Sequence, residues 1–526
     1  MKTTENTAVE PLKEMLTQEE KLARLEQENE ELKAEINFFK EQFKLSQLQK
    51  YGKSSEKSHP EQLDYFNEIE IESVKKCEDV TIEEVLVKRK KKKNSKGKNF
   101  EDLPIEEIYY ELSDEEKVCP KCDHTLHEMK TEIRKEIVVI PAQIKVLHHK
   151  KQVYACRACD QEGTTGTIIS AETPKPALPG SFASSSILAY TIEKKYNQAI
   201  PIYRQETTFR NLGYEISRQN LANWTIKASD KWLRIIYDRL HQLLLKENII
   251  HADETTLNVL DEKENKNNYM WLYTSAKEST NNICLYDYQK SRSKKNPIKF
   301  LDGFKGYLQT DGYQAYESVK DVNLLGCLAH ARRYFKKALD AAPKEADISK
   351  SKSSEALSFF TRIYKLEKSF KELSPNERFF QRLDKTEPIL IELYNWLQVE
   401  SKRTLPKSLL GQAIKYNLKQ WPKLIGVLCD GRLELDNNRA ERSIRPFTIG
   451  RKNWTFSKSP LGATISGICY SIVETAKQNN LIPFEYLMYL FDKLPNIDAT
   501  NLDELDALLP WSKELPKNIK LKSLDD

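Results

Sequence analysis

Asp436 to Ser457 reads DNNRAERSIRPFTIGRKNWTFS, and the fold of the chain turns on how this stretch is built. It sets one glutamate among four arginines and a lysine, with two asparagines ahead and an aromatic tail behind. On a helix, Asn438, Glu441, Arg442 and Arg445 fall at i, i+3, i+4 and i+7 and share one face. Asp436 or Asn438 suits the N-terminal cap, and the residue before Pro446 is the expected stop. A purely local reading also fits. Asn438 with Glu441 three residues on resembles a capping box, and Glu441 with Arg445 makes a surface pair worth about 0.2–0.5 kcal/mol. What favours function is a set of acidic residues far upstream.

From Asn248 the pattern is of strands. NIIHADETTLNVL is a strand with Asp253 near its end, YMWLYTSA and NNICLYDYQ are two more, and KGYLQTDGYQAY is another that ends at Asp311-Gly312. Residues 317–340, including GCLAHARRYFKKAL, are helical, basic and aromatic; residues 343–430 are charged, amphipathic and mostly helical. Strands with carboxylates at two ends, a helical insertion, then a helix bearing Glu441 make a ribonuclease H-like layout. Cutting or joining a phosphodiester requires charge neutralisation at the phosphate and an activated oxygen nucleophile. Two Mg²⁺ ions about 3.5–4 Å apart do both, and such hard cations take carboxylate oxygens. Asp253, Asp311 and Glu441 fit that need. Each also has a plainer reading: Asp253 before Glu254 as a turn acid, and Asp311-Gly312 as an ordinary turn dipeptide.

At 526 residues the chain is expected to hold three or more domains. Its net charge of +5 does not announce a nucleic-acid partner, but Lys88 to Lys98 (KRKKKKNSKGK) contains no acid. Lys90, Lys91 and Lys92 are candidates for phosphate contact, against a solvated linker as the alternative. No secretory signal opens the sequence and no apolar run spans a bilayer. Nine cysteines, an odd number, argue against a disulfide framework. The expectation is a soluble, cytoplasmic bacterial protein with no membrane partner, associated with the nucleoid when bound.

Residues 1–50 carry a coiled-coil seam: Leu22, Leu25, Leu32, Ile36, Phe39 and Phe43 take a and d positions, and Asn29 sits at an a position, where it fixes register. The alternative is an amphipathic helix packed on the protein's own core. A linker with the basic run follows over 51–112. Within 113–173, Cys119-Pro-Lys-Cys122 and Cys156-Arg-Ala-Cys159 flank a β-rich stretch and read as a four-cysteine zinc ribbon, a closed structural site. Residues 174–246 are helical. IYRQETTFRNLG, YEIS and RQNLANWTIKASD read there as helix, turn, helix, with Gly213 at the turn and Ser217 or Arg218 starting the second helix. Arg218, Gln219 and Asn220 are then candidates for groove contacts.

HADET, LQTDGYQAY, GCLAHARRYF and DNNRAERSIRPFTIGRKNWTFS resemble the catalytic blocks of DDE transposases of the insertion sequence sixty-six family. YGKSSEKS, the cysteine ribbon, YNQAIPIYRQETTFRNLGYEISRQNLANW and the C-terminal SIVETAKQNNLIPFEYLMYLFDKLP with LLPW are similar to its other modules, in the same order. The resemblance implies a multidomain α+β protein: coiled coil, zinc ribbon, helical DNA-binding region and a ribonuclease H-like α/β catalytic domain over 247–342 and 431–480. The insertion is then 343–430 and the C-terminal segment 481–526. It implies Asp253, Asp311 and Glu441 as a DDE triad with two Mg²⁺ (Mn²⁺ as a substitute) and structural Zn²⁺. His330, Arg332, Arg333, Arg442, Arg445, Arg451 and Lys452 would hold phosphates, and Trp454 and Phe456 would stack on an unpaired base or pack in the core. The partners would be transposon ends and target DNA, a second copy or more in the paired-end complex, and accessory proteins of the same element. The rival readings are a zinc-ribbon and helix-turn-helix regulator that does not cut DNA, and an assembly protein built on the coiled coil.

Overall fold

The computed structural model describes residues 25, 29, 32, 35, 36, 38–40, 143–155, 168–262, 267–342 and 351–521. The chain separates into two compact units, residues 1–76 with 147–526, and residues 77–146. Of the second unit only 143–146 are described, as irregular backbone. Cys119, Cys122, Cys156 and Cys159, and Lys90, Lys91 and Lys92, lie outside the described residues, as does most of the expected coiled coil. Its described residues are helical, and Leu25, Leu32, Ile36 and Phe39 are exposed. No helix among the described residues is long and apolar enough to cross a membrane.

An antiparallel ribbon, β1 (Val153–Ala155) and β2 (Ile168–Ser170), precedes the helices. α1 (Ser185–Tyr196), α2 (Ile202–Asn211) and α3 (Arg218–Ala228) follow, and one π-helical turn joins α3 to α4 (Arg234–Leu244). Between α2 and α3, Gly213 takes φ +84°, a conformation that costs a residue with a Cβ far more. Ser217 caps α3 by accepting the Asn220 N–H at 3.2 Å. Phe209, Ile216 and Leu221 bury a small core between the two helices.

The central sheet has five strands: β3 (Ile249–Leu257), β4 (Asn268–Ser275), β5 (Cys284–Gln289), β6 (Gly306–Gln309) and β7 (Val322–Leu325). Their order is β5-β4-β3-β6-β7, with β3, β4 and β5 antiparallel and β6 and β7 running parallel to β3. α5 (Lys295–Phe300) links β5 to β6, and α6 (Leu328–Asp340) leaves β7. Successive side chains of a strand face opposite ways, and β3 shows the consequence: Ile249 and Ile250 enter different hydrophobic clusters. Ile250 joins the core built with α1, α4, α11 (Asn438–Trp454), α12 (Pro460–Gln478) and α13 (Pro483–Lys493). Ile249 joins a second core made with α6 and the insertion helices α7 (Lys352–Ser369), α9 (Glu387–Arg403) and α10 (Leu409–Leu424).

The insertion is fastened at several points. Arg382, 1% exposed, lies just after α8 (Pro375–Gln381). It pairs with Glu367 and donates to the carbonyls of Val427 (3.2 Å), Asp430 (3.1 Å) and Leu433 (2.8 Å). Arg378 donates to the Gly431 carbonyl at 3.1 Å. These bonds grip the segment that leads into α11.

Two expectations need correction. α11 does not stop before Pro446 but runs through it to Trp454. Proline removes one helical N–H and crowds the preceding turn, at a cost of about 3 kcal/mol. Ile444 and Phe447 are buried either side of it, and Phe447 packs on Tyr286, Trp454 and Tyr470. Full burial of one such side chain is worth about 1.5–3 kcal/mol, so packing outweighs the break, and Tyr286 OH donates to the Ser443 carbonyl beside it. Asp253 also lies at the middle of β3, not near its end. Only Ile249 to His251 pair with β6, so Asp253 stands just past the point where the parallel neighbour leaves off.

Candidate active site

The first acid is placed by strand parity. His251 and Asp253 share a face of β3, while Glu254 points the other way. Asp253 Oδ1 accepts the Glu254 N–H at 2.8 Å. The second acid, Asp311, follows β6 by two residues in a tight turn. Its Oδ1 accepts the Tyr313 N–H at 2.9 Å, and Gly312 takes φ +93°. A Cβ at Gly312 would come within 3.1 Å of Tyr416 OH, which itself donates to the Asp311 carbonyl at 3.0 Å. The insertion thus touches the acid's own turn, through a tyrosine stacked on Tyr334.

The third acid, Glu441, sits in the first turn of α11 and is 7% exposed. Asn437 fixes the start of that helix against β3. Its Nδ2 donates to the Ala252 carbonyl at 2.8 Å, its Oδ1 lies 3.2 Å from His251 Nδ1, and its N–H points at Cys327 Sγ, 3.2 Å away. The helix N-terminus therefore takes no cap from the Asn437 side chain; Asp436 accepts the Asn438 N–H at 3.0 Å instead. Glu441 pairs with residues of α6: His330 Nδ1 is 3.5 Å and Arg333 3.7 Å from its Oε1.

Two of the acids are shifted by burial and by neighbouring carboxylates. Burial holds the Asp253 carboxyl well above its usual range, and Glu254, Asp311 and Glu441 add to the shift. Burial raises Glu441 as well, against the pull of Arg333 and with Asp311 adding. Burial and then Arg333 push His330 down to about 4. Glu441 Oε1 and His330 Nδ1 are buried with no hydrogen-bond partner, a cost that a bound cation would relieve. Among the described residues, the metal-ligating atoms that come mutually within 4.8 Å are those of Cys327, His330 and Glu441; the Asp253, Asp311 and Glu441 set is wider.

The basic candidates divide. Arg442 and Lys452 are exposed, and Arg333, Arg445 and Arg451 are half-buried. Arg451 donates to the hydroxyls of Thr255 and Thr256, both at 3.2 Å. Arg332 is only 4% exposed, so the phosphate role expected of it does not fit; one residue from Arg333, it turns inward on α6. Trp454 packs in the core against Phe447, whereas Phe456 is exposed. On the far side of the chain order, Arg218, Gln219 and Asn220 are exposed at the start of α3.

Sequence reasoning missed four contributors. Glu254, read only as the neighbour of Asp253, has its carboxylate bound by Arg292 and by Tyr316 OH at 2.8 Å. Arg292 also covers the Tyr313 ring at 3.7 Å, tying β3 to the Asp311 turn. Asn437 was visible only as polar company for Glu441. Tyr416, more than a hundred residues from Asp311, left no signal in spacing.

Residues 180–465 match the family model described as "Transposase IS66 family". Residues 116–160, which hold all four ribbon cysteines, match the zinc-finger binding domain of transposase IS66. Residues 471–511 match the IS66 C-terminal element, and 39–108 match "Transposase C of IS166 homeodomain". Relatives include three uncharacterized proteins of Sinorhizobium fredii (strain NBRC 101917 / NGR234). y4jD is 27% identical over 80% of this chain and 83% of its own length. y4qI is 27% identical over 71% and 70%, and y4hP 26% identical over 73% and 71%. These matches define a transposase with DNA-binding parts. The chain belongs to the IS66 transposase family.

Proposed function

We propose that the protein binds the terminal inverted repeats of its own insertion sequence and carries out divalent-metal-dependent strand cleavage and strand transfer on a ribonuclease H-like catalytic domain. The observation that carries this reading is the convergence of Asp253, Asp311 and Glu441. They come from a strand, a strand-end turn and a helix; the charges of Asp311 and Glu441 both raise Asp253, and that of Asp311 raises Glu441. The strand order β5-β4-β3-β6-β7, with one parallel side, supports the fold assignment.

Asp253, Asp311 and Glu441 would hold the Mg²⁺ pair, with Mn²⁺ as a substitute; bound there, it neutralises the scissile phosphate and activates the oxygen nucleophile. Water attacks the phosphorus at the element end and a 3′-hydroxyl leaves. That hydroxyl then attacks a target phosphodiester, and the target's own 3′-oxygen departs. Arg333, Arg442, Arg445 and Lys452 border Glu441 or its helix and supply phosphate contacts, with Arg suited to bidentate pairing. Arg218, Gln219 and Asn220 contact the end sequence. The exposed Leu25, Leu32, Ile36 and Phe39 favour a coiled coil with a second copy over packing on the chain's own core. A four-cysteine ribbon holds structural zinc.

The test is a pair of assays on labelled inverted-repeat DNA. Specific binding and Mg²⁺-dependent nicking are expected together. Specific binding with products indifferent to Mg²⁺ would point to the regulator instead.

A further inference from the structure

We propose that Cys327, His330 and Glu441 form a second metal site, one for a borderline-soft divalent cation of the zinc class, and that filling it withdraws Glu441 from the acidic triad. The site stands on its own geometry; only its effect on cleavage rests on the function proposed above.

Cys327 caps α6 and His330 is the third residue within it, so the Cys-x-x-His spacing brings both side chains to one helix end. Glu441 comes from the first turn of α11. The three ligand atoms lie within 4.8 Å of one another. His330 Nδ1 and Glu441 Oε1 are 3.5 Å apart, too far for a good hydrogen bond, and both are buried without one. Nitrogen and oxygen bound at about 2.0–2.1 Å to a tetrahedral zinc would stand about 3.4 Å apart, so the gap is the edge of such a tetrahedron. Cys327 Sγ, 1% exposed, faces the Asn437 N–H at 3.2 Å, the kind of outer bond that supports a metal thiolate. Sulfur, nitrogen and oxygen together suit zinc, whereas Mg²⁺ takes oxygen.

At present Arg333 supplies the positive charge. It donates to His330 Nε2 at 2.9 Å and lies 3.7 Å from Glu441 Oε1. Coordination through Nδ1 leaves the imidazole proton on Nε2, which a guanidinium cannot face. Arg333, with 41% of its side chain exposed, therefore swings out as the metal enters. The thiol proton passes to solvent as the metal–sulfur bond forms.

The experiment adds Co²⁺ to the full-length protein as purified, with its ribbon metal in place, and reads thiolate-to-cobalt absorption. Wild type should take up about one further metal per chain that Zn²⁺ displaces. Cys327→Ser, His330→Gln and Glu441→Gln should lose that increment while keeping the wild-type circular dichroism, and Asp253→Asn should keep it. Zn²⁺ should slow Mg²⁺-dependent nicking about tenfold or more in wild type. No increment in wild type, or an increment surviving in both Cys327→Ser and His330→Gln, would overturn the site. If Glu441→Gln nicks at the wild-type rate, the catalytic reading fails while the cobalt result still stands on its own.

Discussion

Asp436 stands just ahead of Glu441, and burial, opposed by the bond from Asn438 N–H, raises its carboxyl to about 7. A folded-state value above the unfolded one means the native protein holds this proton more tightly. The resulting stability is complete below about pH 4 and is lost as pH rises through about 7. Asn in place of Asp mimics the protonated form. Melting temperature in Mg²⁺-free buffer should therefore fall more steeply with pH in wild type than in Asp436→Asn; parallel curves would remove Asp436 as the source. At this scale the sequence shows chemistry better than direction. Arg332 and Arg333 are adjacent and chemically identical, yet about 100° of helical rotation sends one into the core and leaves the other beside Glu441. Nothing in their own letters separates them, because the choice depends on what packs against α6.

At the scale of elements, local signals were legible wherever the cause is local. Gly213 marks its turn, Ser217 its cap, and the β-branched and aromatic runs mark β3, β4 and β5. They failed where a distant partner decides. Pro446 sits inside α11 because Phe447, Tyr286 and Tyr470 pack there from three separate elements. The insertion read as charged, amphipathic helices, yet it grips the segment before α11 through Arg382 and the Asp311 turn through Tyr416. Arg382→Met keeps much of the bulk but leaves Glu367 and three carbonyls without their donor. Breaking a buried pair costs about 3–5 kcal/mol, and Glu367 is partly exposed, so a loss near the lower end is expected by denaturant unfolding. A loss below about 1 kcal/mol, the scale of a surface pair, would mean the grip is incidental. Tyr416→Phe should be milder, about 0.5–1.5 kcal/mol for one hydrogen bond. It should slow nicking without weakening end binding; an unchanged rate would show that the turn holds Asp311 unaided.

For the whole molecule, the cysteine ribbon was legible from its spacing and the transposase and C-terminal regions from their resemblance to the family, and the family models match all three; the coiled coil stays part of the proposed reading. The convergence of the three acids was not readable from spacing, since 58 residues separate the first two and 130 the last two in the chain. Removing residues 1–50 should lower the oligomeric state measured by light scattering and weaken paired-end complexes, while nicking of single ends persists. An unchanged mass would assign self-association to another part of the chain. The central claim is that Asp253, Asp311 and Glu441 are one catalytic centre. It is tested most directly by nicking of labelled inverted-repeat DNA in Mg²⁺ by Asp253→Asn, Asp311→Asn and Glu441→Gln, each near-isosteric and uncharged. The account predicts that all three abolish nicking while end binding in a parallel shift assay is retained or tightened; any one of them cutting at the wild-type rate would contradict it.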